Sequence, residues 1–186
     1  MKIIALGYKA RQGKTTAAGA LARSLGGHGL IWGVSDNLKS VARVEFGMGI
    51  EKDPKLLQKL GIGYRRPHPD WLIKAWQGTI ADQPPLDWVI VPDMRFRNEA
   101  KFFRDNGAVL LKITRLVDGQ PFVADDRPAD HPSETELDGW TDWDMDIKAG
   151  TLIQLKAKLA VAALTEFRPA FLPAPEPEAG DRSETP

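Results

Sequence analysis

Four apolar residues, Ile3-Ile4-Ala5-Leu6, run directly into Gly7-Tyr8-Lys9-Ala10-Arg11-Gln12-Gly13-Lys14-Thr15-Thr16, and an alanine-rich stretch follows. A buried strand, a glycine-containing loop and a helix opened by Gly-Lys-Thr constrain this chain more than any other feature. Such a loop turns backbone N–H groups and the positive end of a helix dipole toward an anion. The expected ligand is a nucleoside triphosphate, with Lys14 reaching its β- and γ-phosphates and the Thr15 hydroxyl meeting Mg²⁺. The full pattern G-x-x-x-x-G-K-[ST] wants a glycine where Tyr8 stands, and Gly7 falls one place too early. The loop is therefore expected to open differently. A Gly/Lys-rich turn without a ligand is the competing reading.

Composition agrees with a small enzyme. At 186 residues the chain fits one domain with a sizeable core. Its 25 basic and 25 acidic residues cancel, which gives no bulk electrostatic case for a nucleic-acid or membrane partner. Cysteine is absent, which excludes disulfides and thiolate metal sites and points to a reducing compartment. No apolar run approaches the roughly 18 residues that span a bilayer, and the N-terminus reads as a strand rather than a signal peptide. The expected location is the cytoplasm.

Strand and helix signals alternate along the chain. After the helix at 14–25 comes an apolar strand at 29–34, then a helix capped by Ser35 or Asp36. Asp53-Pro54 opens a helix carrying Leu56, Leu57 and Leu60, and another begins near Pro69-Asp70. Trp88-Val89-Ile90-Val91 has the continuous apolar character of a buried parallel strand. A helix from Asn98 to Asn106 and a strand at 108–113 follow. Residues 114–138 are polar and aperiodic, a loop of the length usually reserved for a functional lid or a disordered insert. Trp143 to Ile147 reads as a short edge strand, and Leu152, Leu155, Leu159 and Ala162 mark a last amphipathic helix. Residues 169–186, rich in proline and acidic groups, read as a disordered tail. The expectation is a three-layer α/β fold with a parallel sheet, held in one domain over residues 1–168.

Open parallel sheets place ligands at the carboxyl ends of their strands. Three groups stand there: Ser35-Asp36-Asn37-Leu38-Lys39, Asp93-Met94-Arg95-Phe96-Arg97-Asn98-Glu99, and Arg115. Phosphoryl transfer needs clustered cations and a carboxylate for the metal or the acceptor. Asp36 and Asp93 offer carboxylates; Arg65, Arg66, Arg95, Arg97 and Arg115 offer guanidinium forks. Alternatives stay open: Asp36 as a helix cap only, and Arg65-Arg66 as a solvated turn.

Several blocks in order resemble one family, the deoxynucleoside monophosphate kinases of bacteriophages and their relatives. They are Lys9 to Thr16, Ser35 to Lys39, Leu57-Gln58-Lys59-Leu60-Gly61 with Arg65-Arg66, and Pro69-Asp70-Trp71. Asp93 to Ala100, His131-Pro132-Ser133-Glu134 and Asp146 to Leu152 complete the set. The resemblance implies a P-loop kinase core that moves the γ-phosphate of ATP, with Mg²⁺, to a nucleoside monophosphate. It also implies a monophosphate-binding helical region at about 48–82 and a lid at about 114–138, in the host cytoplasm if the gene is a phage's. Under it, Arg11, Gly13, Lys14, Thr15 and Thr16 hold ATP, and Thr15 and Asp93 serve Mg²⁺, Asp93 through water. Asp36, Lys39, Arg65, Arg66, Trp71, Asp93, Arg95 and Asn98 fall to the acceptor. Lys14, Asp36, Arg95 and Arg115 are the catalytic candidates, and Arg127, His131 and Glu134 belong to the lid. Departures are Tyr8, Thr15 where many relatives carry aspartate, Arg97 for a common proline, and Lys148 in a stretch where asparagine is usual.

Three readings compete with parts of this. Ser133 with Glu136 spells a capping box. Trp140 and Trp143 suggest base stacking, although core packing is the commoner use of such residues. The kinase could take another acceptor, such as a hydroxymethyl base in DNA or dephospho-coenzyme A, or the chain could bind nucleotide without catalysis. His28, His68 and His131 lack metal-ligand spacing. The expected partners are small nucleotides, and a homodimer is compatible with the reading.

Overall fold

The computed structural model describes residues 1–126 and 128–167; Arg127 and the tail at 169–186 lie outside the described residues. Strand β1 (Lys2–Gly7) leads to helix α1 (Lys14–Leu25), then β2 (Gly29–Ile31), α2 (Asp36–Phe46), α3 (Pro54–Arg65), α4 (Trp71–Ala81) and β3 (Trp88–Met94). Next come α5 (Arg97–Asp105), β4 (Val109–Val117), β5 (Gln120–Pro121), α6 (Pro132–Thr135), β6 (Met145–Ala149) and α7 (Leu152–Ala162), which ends in a π-helical turn at Ala163–Phe167. The fold is α/β with a mostly parallel sheet. Strands β2, β3, β1, β4 and β6 run side by side in that order, all parallel, and β5 hairpins back on the end of β4.

Alternation along the strands explains how both faces of the sheet become buried. Ile4 and Leu6 of β1, Ile90 of β3 and Leu111 of β4 pack with Ala17, Ala18 and Leu21 of α1 and Leu155 and Leu159 of α7. The intervening residues, Ile3, Ala5, Val89, Val91 and Leu110, pack with Leu38, Leu72, Trp76, Ala100 and Phe103 of α2, α4 and α5. Because β1 lies between β3 and β4, the loop after it opens at the centre of the sheet, where the direction of strand crossing reverses.

Two element boundaries differ from expectation for identifiable reasons. The strand expected at 29–34 ends at Ile31, because Val34 and Ser35 leave the sheet to donate their amides to Asp93 at 2.8 and 3.1 Å. The stretch expected to be loop from Thr114 begins as strand: β4 continues through Arg115 to Val117, since β6 pairs with it as far as Arg115↔Ala149. Trp143 and Trp140 pack against the second core cluster, as the core reading of these residues has it. A Cβ on Gly7 would lie 2.5 Å from the Trp143 ring, so only glycine ends β1 there.

Candidate active site

The loop after β1 takes its shape from three left-handed residues, Tyr8 (φ 97°), Arg11 (φ 54°) and Gly13 (φ 90°). Tyr8 therefore adopts the conformation that the missing pattern glycine would take freely, at a steric cost for a side chain with a Cβ. Packing compensates: its ring joins the second core cluster, with the Lys112 ammonium 4.4 Å from the centroid. Gly13 precedes α1 without any side-chain cap, so the first-turn amides remain for an anion. The Lys14 ammonium lies folded over the loop, donating to the carbonyls of Tyr8 (2.8 Å) and Lys9. Thr15 and Thr16 are exposed on the first turn of α1.

Buried Gln12 ties this loop to the neighbouring strand. Its amide donates to the Phe122 carbonyl at 2.8 Å and accepts the Arg115 N–H at 2.7 Å. Arg115 thus stands near the end of β4 beside the loop after β1, its guanidinium 4.5 Å over the Phe122 ring. Arg11 pairs with Asp126 at 2.9 Å and Asp125 at 3.5 Å, and Lys9 pairs with Asp138 at 2.9 Å.

Opposite the loop, two largely buried carboxylates orient two arginines. Glu99 accepts the Arg65 guanidinium at 2.8 Å and the Arg95 and Phe96 amides at 2.8 and 3.2 Å. Burial pushes the Glu99 carboxyl above its usual range, against the pull of Arg65. Glu134 accepts the Arg95 guanidinium at 2.5 Å and the Ala10 amide of the phosphate loop at 2.7 Å. Arg65 also lies 3.9 Å over the Phe96 ring. Arg66 is exposed and has no ion-pair partner among the described residues.

Asp93 accepts three hydrogen bonds, from the Val34 amide, the Ser35 amide and the Ser35 hydroxyl, and lies 3.6 Å from Lys39. Burial raises its carboxyl, but Lys39 and these donors outweigh burial and hold it below the usual range. Asp36 opens α2, with Ser35 at the N-cap position; its carboxylate accepts the Gly33 amide at 2.5 Å and Lys39 at 2.6 Å. Lys39 reaches the cleft; Asp36 stands behind it.

One cleft of about 1140 Å³ gathers Arg11, Gly13, Lys14, Thr15 and Thr16 on one side with Lys39, Asp93, Arg95, Arg65, Arg66 and Asn98 on the other. Arg115 and His131 line it as well. Trp71 does not line it; its ring stacks on Tyr64 at 4.3 Å, because the apolar face of α4 turns inward. Asn98 donates to the Pro69 carbonyl and the Asp70 carboxylate, joining α5 to the start of α4. The capping box expected of Ser133 is replaced: His131 caps α6, its Nδ1 accepting the Ser133 amide at 3.1 Å, and Glu136 instead accepts the Arg97 amide. Burial lowers the His131 pKa, with Arg65 and Arg95 adding to it against Glu134. With Nδ1 accepting, the neutral ring carries its proton on Nε2, a buried atom with no hydrogen-bond partner among the described residues.

Sequence reading passed over Gln12, Lys52, Gln58 and Glu99 as site residues, although Lys52 and Gln58 also line the cleft. The one signal for Glu99 was its place in the Asp93 to Ala100 block. Nothing local distinguishes Gln12, whose partners stand 103 and 110 residues away. Among the described residues no group of three or more His, Cys, Asp or Glu side chains forms a metal cage, and no helix is long and apolar enough to cross a membrane.

No protein-family profile matches the chain. A protein of Acanthamoeba polyphaga mimivirus, provisionally described as a deoxynucleotide monophosphate kinase, is 32% identical over 95 residues. The match covers 45% of this chain and 46% of the relative, so the chain spans about half the length of the protein it matches. The mostly parallel α/β sheet is compatible with a P-loop kinase fold, and the likeness reaches to a nucleotide kinase.

Proposed function

We propose that this protein is a kinase of P-loop type that transfers the γ-phosphoryl group of ATP to a (deoxy)nucleoside monophosphate. The observation that carries this reading is the shared cleft. A phosphate loop and the N-terminus of α1 face Lys39, Arg65, Arg66 and Arg95 across one space. Catalysis of this transfer is mostly positioning and charge stabilisation, and both are supplied by cations fixed on two sides of the transferring group.

In this reading the loop amides and Lys14 hold the β- and γ-phosphates. Arg95 and Arg65, braced by Glu134 and Glu99, hold the acceptor phosphate in line. Asp36 acts through Lys39 by keeping its ammonium at the cleft wall. Arg115 and the His131 Nε2–H approach from the β4 and α6 side, within the lid proposed at about 114–138. The Thr15 hydroxyl, exposed on the first turn of α1, offers one oxygen to a hard cation that keeps most of its waters. Asp93, whose oxygens already accept three hydrogen bonds, fits an outer position through water. The chemistry that Mg²⁺ supplies when bound is neutralisation of charge on the phosphates.

The test is incubation with ATP, Mg²⁺ and each nucleoside monophosphate in turn, following diphosphate formation, with Lys14→Ala as control. Diphosphate should form with at least one monophosphate, and Lys14→Ala should lower turnover by orders of magnitude while the fold persists. Undiminished turnover in Lys14→Ala would falsify the reading. ATP binding without transfer to any monophosphate would favour another acceptor or a non-catalytic role.

A further inference from the structure

The wall of the cleft formed by α3 changes character along its length. Leu57, Gln58, Gly61, Ile62, Arg65 and Arg66 line it, at the spacing of a single helical face. Arg65 and Arg66 make one end cationic. Leu57, with Leu38 of α2 also lining the cleft, makes the other end apolar, and the exposed Ile62 stands between Gly61 and the arginines. Gly61 sits between, its missing side chain leaving the middle of the face low; a Cβ there would come within 2.9 Å of the Arg65 guanidinium.

Within the apolar end, the Gln58 Nε2 is buried and has no hydrogen-bond partner among the described residues. Such a group is costly where an aliphatic residue would fill the same space without penalty. The Arg65 Nε is also buried and without a hydrogen-bond partner among the described residues, although the other end of that guanidinium is bound to Glu99. The Arg65 guanidinium folds back beside Gly61 on the same helix face, so it stands about one helical turn from the level of Gln58. A nucleoside monophosphate whose phosphate meets Arg65 and Arg66 would turn an edge of its base toward Gln58.

We propose that Gln58 reads the base of the acceptor nucleotide. Its amide N–H donates to a ring nitrogen or carbonyl on the base edge, Leu57 and Ile62 cover the base, and Arg65 with Arg66 anchors the phosphate. Base preference thus resides in α3. This rests on the monophosphate-kinase reading, and the following experiment separates the two.

Dissociation constants of dAMP, dGMP, dCMP and dTMP are measured by calorimetry for the wild type, Gln58→Leu and Gln58→Glu, alongside turnover with ATP. The wild type should separate the bases. Gln58→Leu should compress that spread on the order of ten- to a hundredfold, the range of one good base contact, by weakening the preferred base. The affinity for ATP should stay unchanged. If Gln58→Leu fails to fold, Gln58→Glu keeps the volume and replaces the donor by acceptors, so the ranking of the bases should change. An unchanged spread in folded Gln58→Leu, an unchanged ranking in Gln58→Glu, or a wild type indifferent to the base overturns the proposal. Base-selective binding that depends on Gln58, but without phosphoryl transfer, sustains this contact and sinks the kinase reading. Turnover with a preference that Gln58 does not move does the reverse.

Discussion

Glu134 receives the Arg95 guanidinium at 2.5 Å on one carboxylate oxygen while the other accepts the Ala10 amide at 2.7 Å. A single, nearly buried side chain therefore joins the loop after β1 to an arginine on the opposite side of the cleft. The strand order makes this possible, because it brings the ends of β1 and β3 together.

Substituting Glu134 should disturb both sides at once. Glu134→Ala leaves an amide and a guanidinium without their acceptor, which costs about 1–3 kcal/mol of stability. Glu134→Gln keeps the shape but loses the charge, and a slipped Arg95 should lower kcat on the order of a hundredfold. Urea melts and steady-state kinetics check the two effects. A Glu134→Gln enzyme with wild-type kcat would show that Arg95 needs no such brace.

Gly13 at the N-cap of α1 and Gly19 in its interior should respond in opposite directions. Gly13 has φ 90°, so Gly13→Ala forces a side chain into left-handed backbone at roughly 1–2 kcal/mol, and ATP affinity should fall with the loop's shape. Gly19 lies inside the helix, and a Cβ there meets only the Arg23 guanidinium at an ordinary 3.7 Å. Gly19→Ala should therefore stabilise by about 0.5–1 kcal/mol. Thermal melts of the pair give the comparison, and equal shifts would contradict this account.

Stability should fall in acid partly through Asp93. Its folded carboxyl is held below the ordinary value, so the folded state binds the proton less readily than the unfolded chain. The contribution is complete above the unfolded value near 3.9 and fades as the pH drops from there through the folded value. Asp93→Asn should be less stable at pH 7 and lose less stability between about pH 5 and 3. Glu99 is shifted the other way, and its burial cost is relieved on protonation, so the measurement is the difference between wild type and Asp93→Asn. Parallel pH curves would refute the role given to Asp93.

Arg11 meets Asp125 and Asp126, so under the proposed function an incoming triphosphate would compete for the same guanidinium. Asp126→Asn should accordingly lower the KM for ATP by about threefold, the worth of a partly exposed ion pair. The effect should shrink at high salt. A raised KM would show that this pair shapes the loop for ATP instead of opposing it.

The helices and strands were legible in the sequence because hydrophobic periodicity and chain punctuation are local. Asp53-Pro54 caps and starts α3, and Val89 to Val91 can only be buried on both faces. Lys14, Thr15 and Thr16 stood out in the sequence for the same reason, since the Gly-Lys-Thr pattern that marks them as candidates is spelled within ten residues of chain. What only the tertiary structure decided is which distant groups meet. Gln12 spans to Arg115 and Phe122, Glu134 to Ala10, and Glu99 to Arg65, at separations of 34 to 124 residues. Asp36 likewise carries the same carboxylate whether it caps, ligates or braces Lys39, and Trp71 the same ring whether it meets a base or Tyr64. Sheet order and helix facing decide which neighbours these side chains meet, because a buried polar group must find its partner among those that packing supplies.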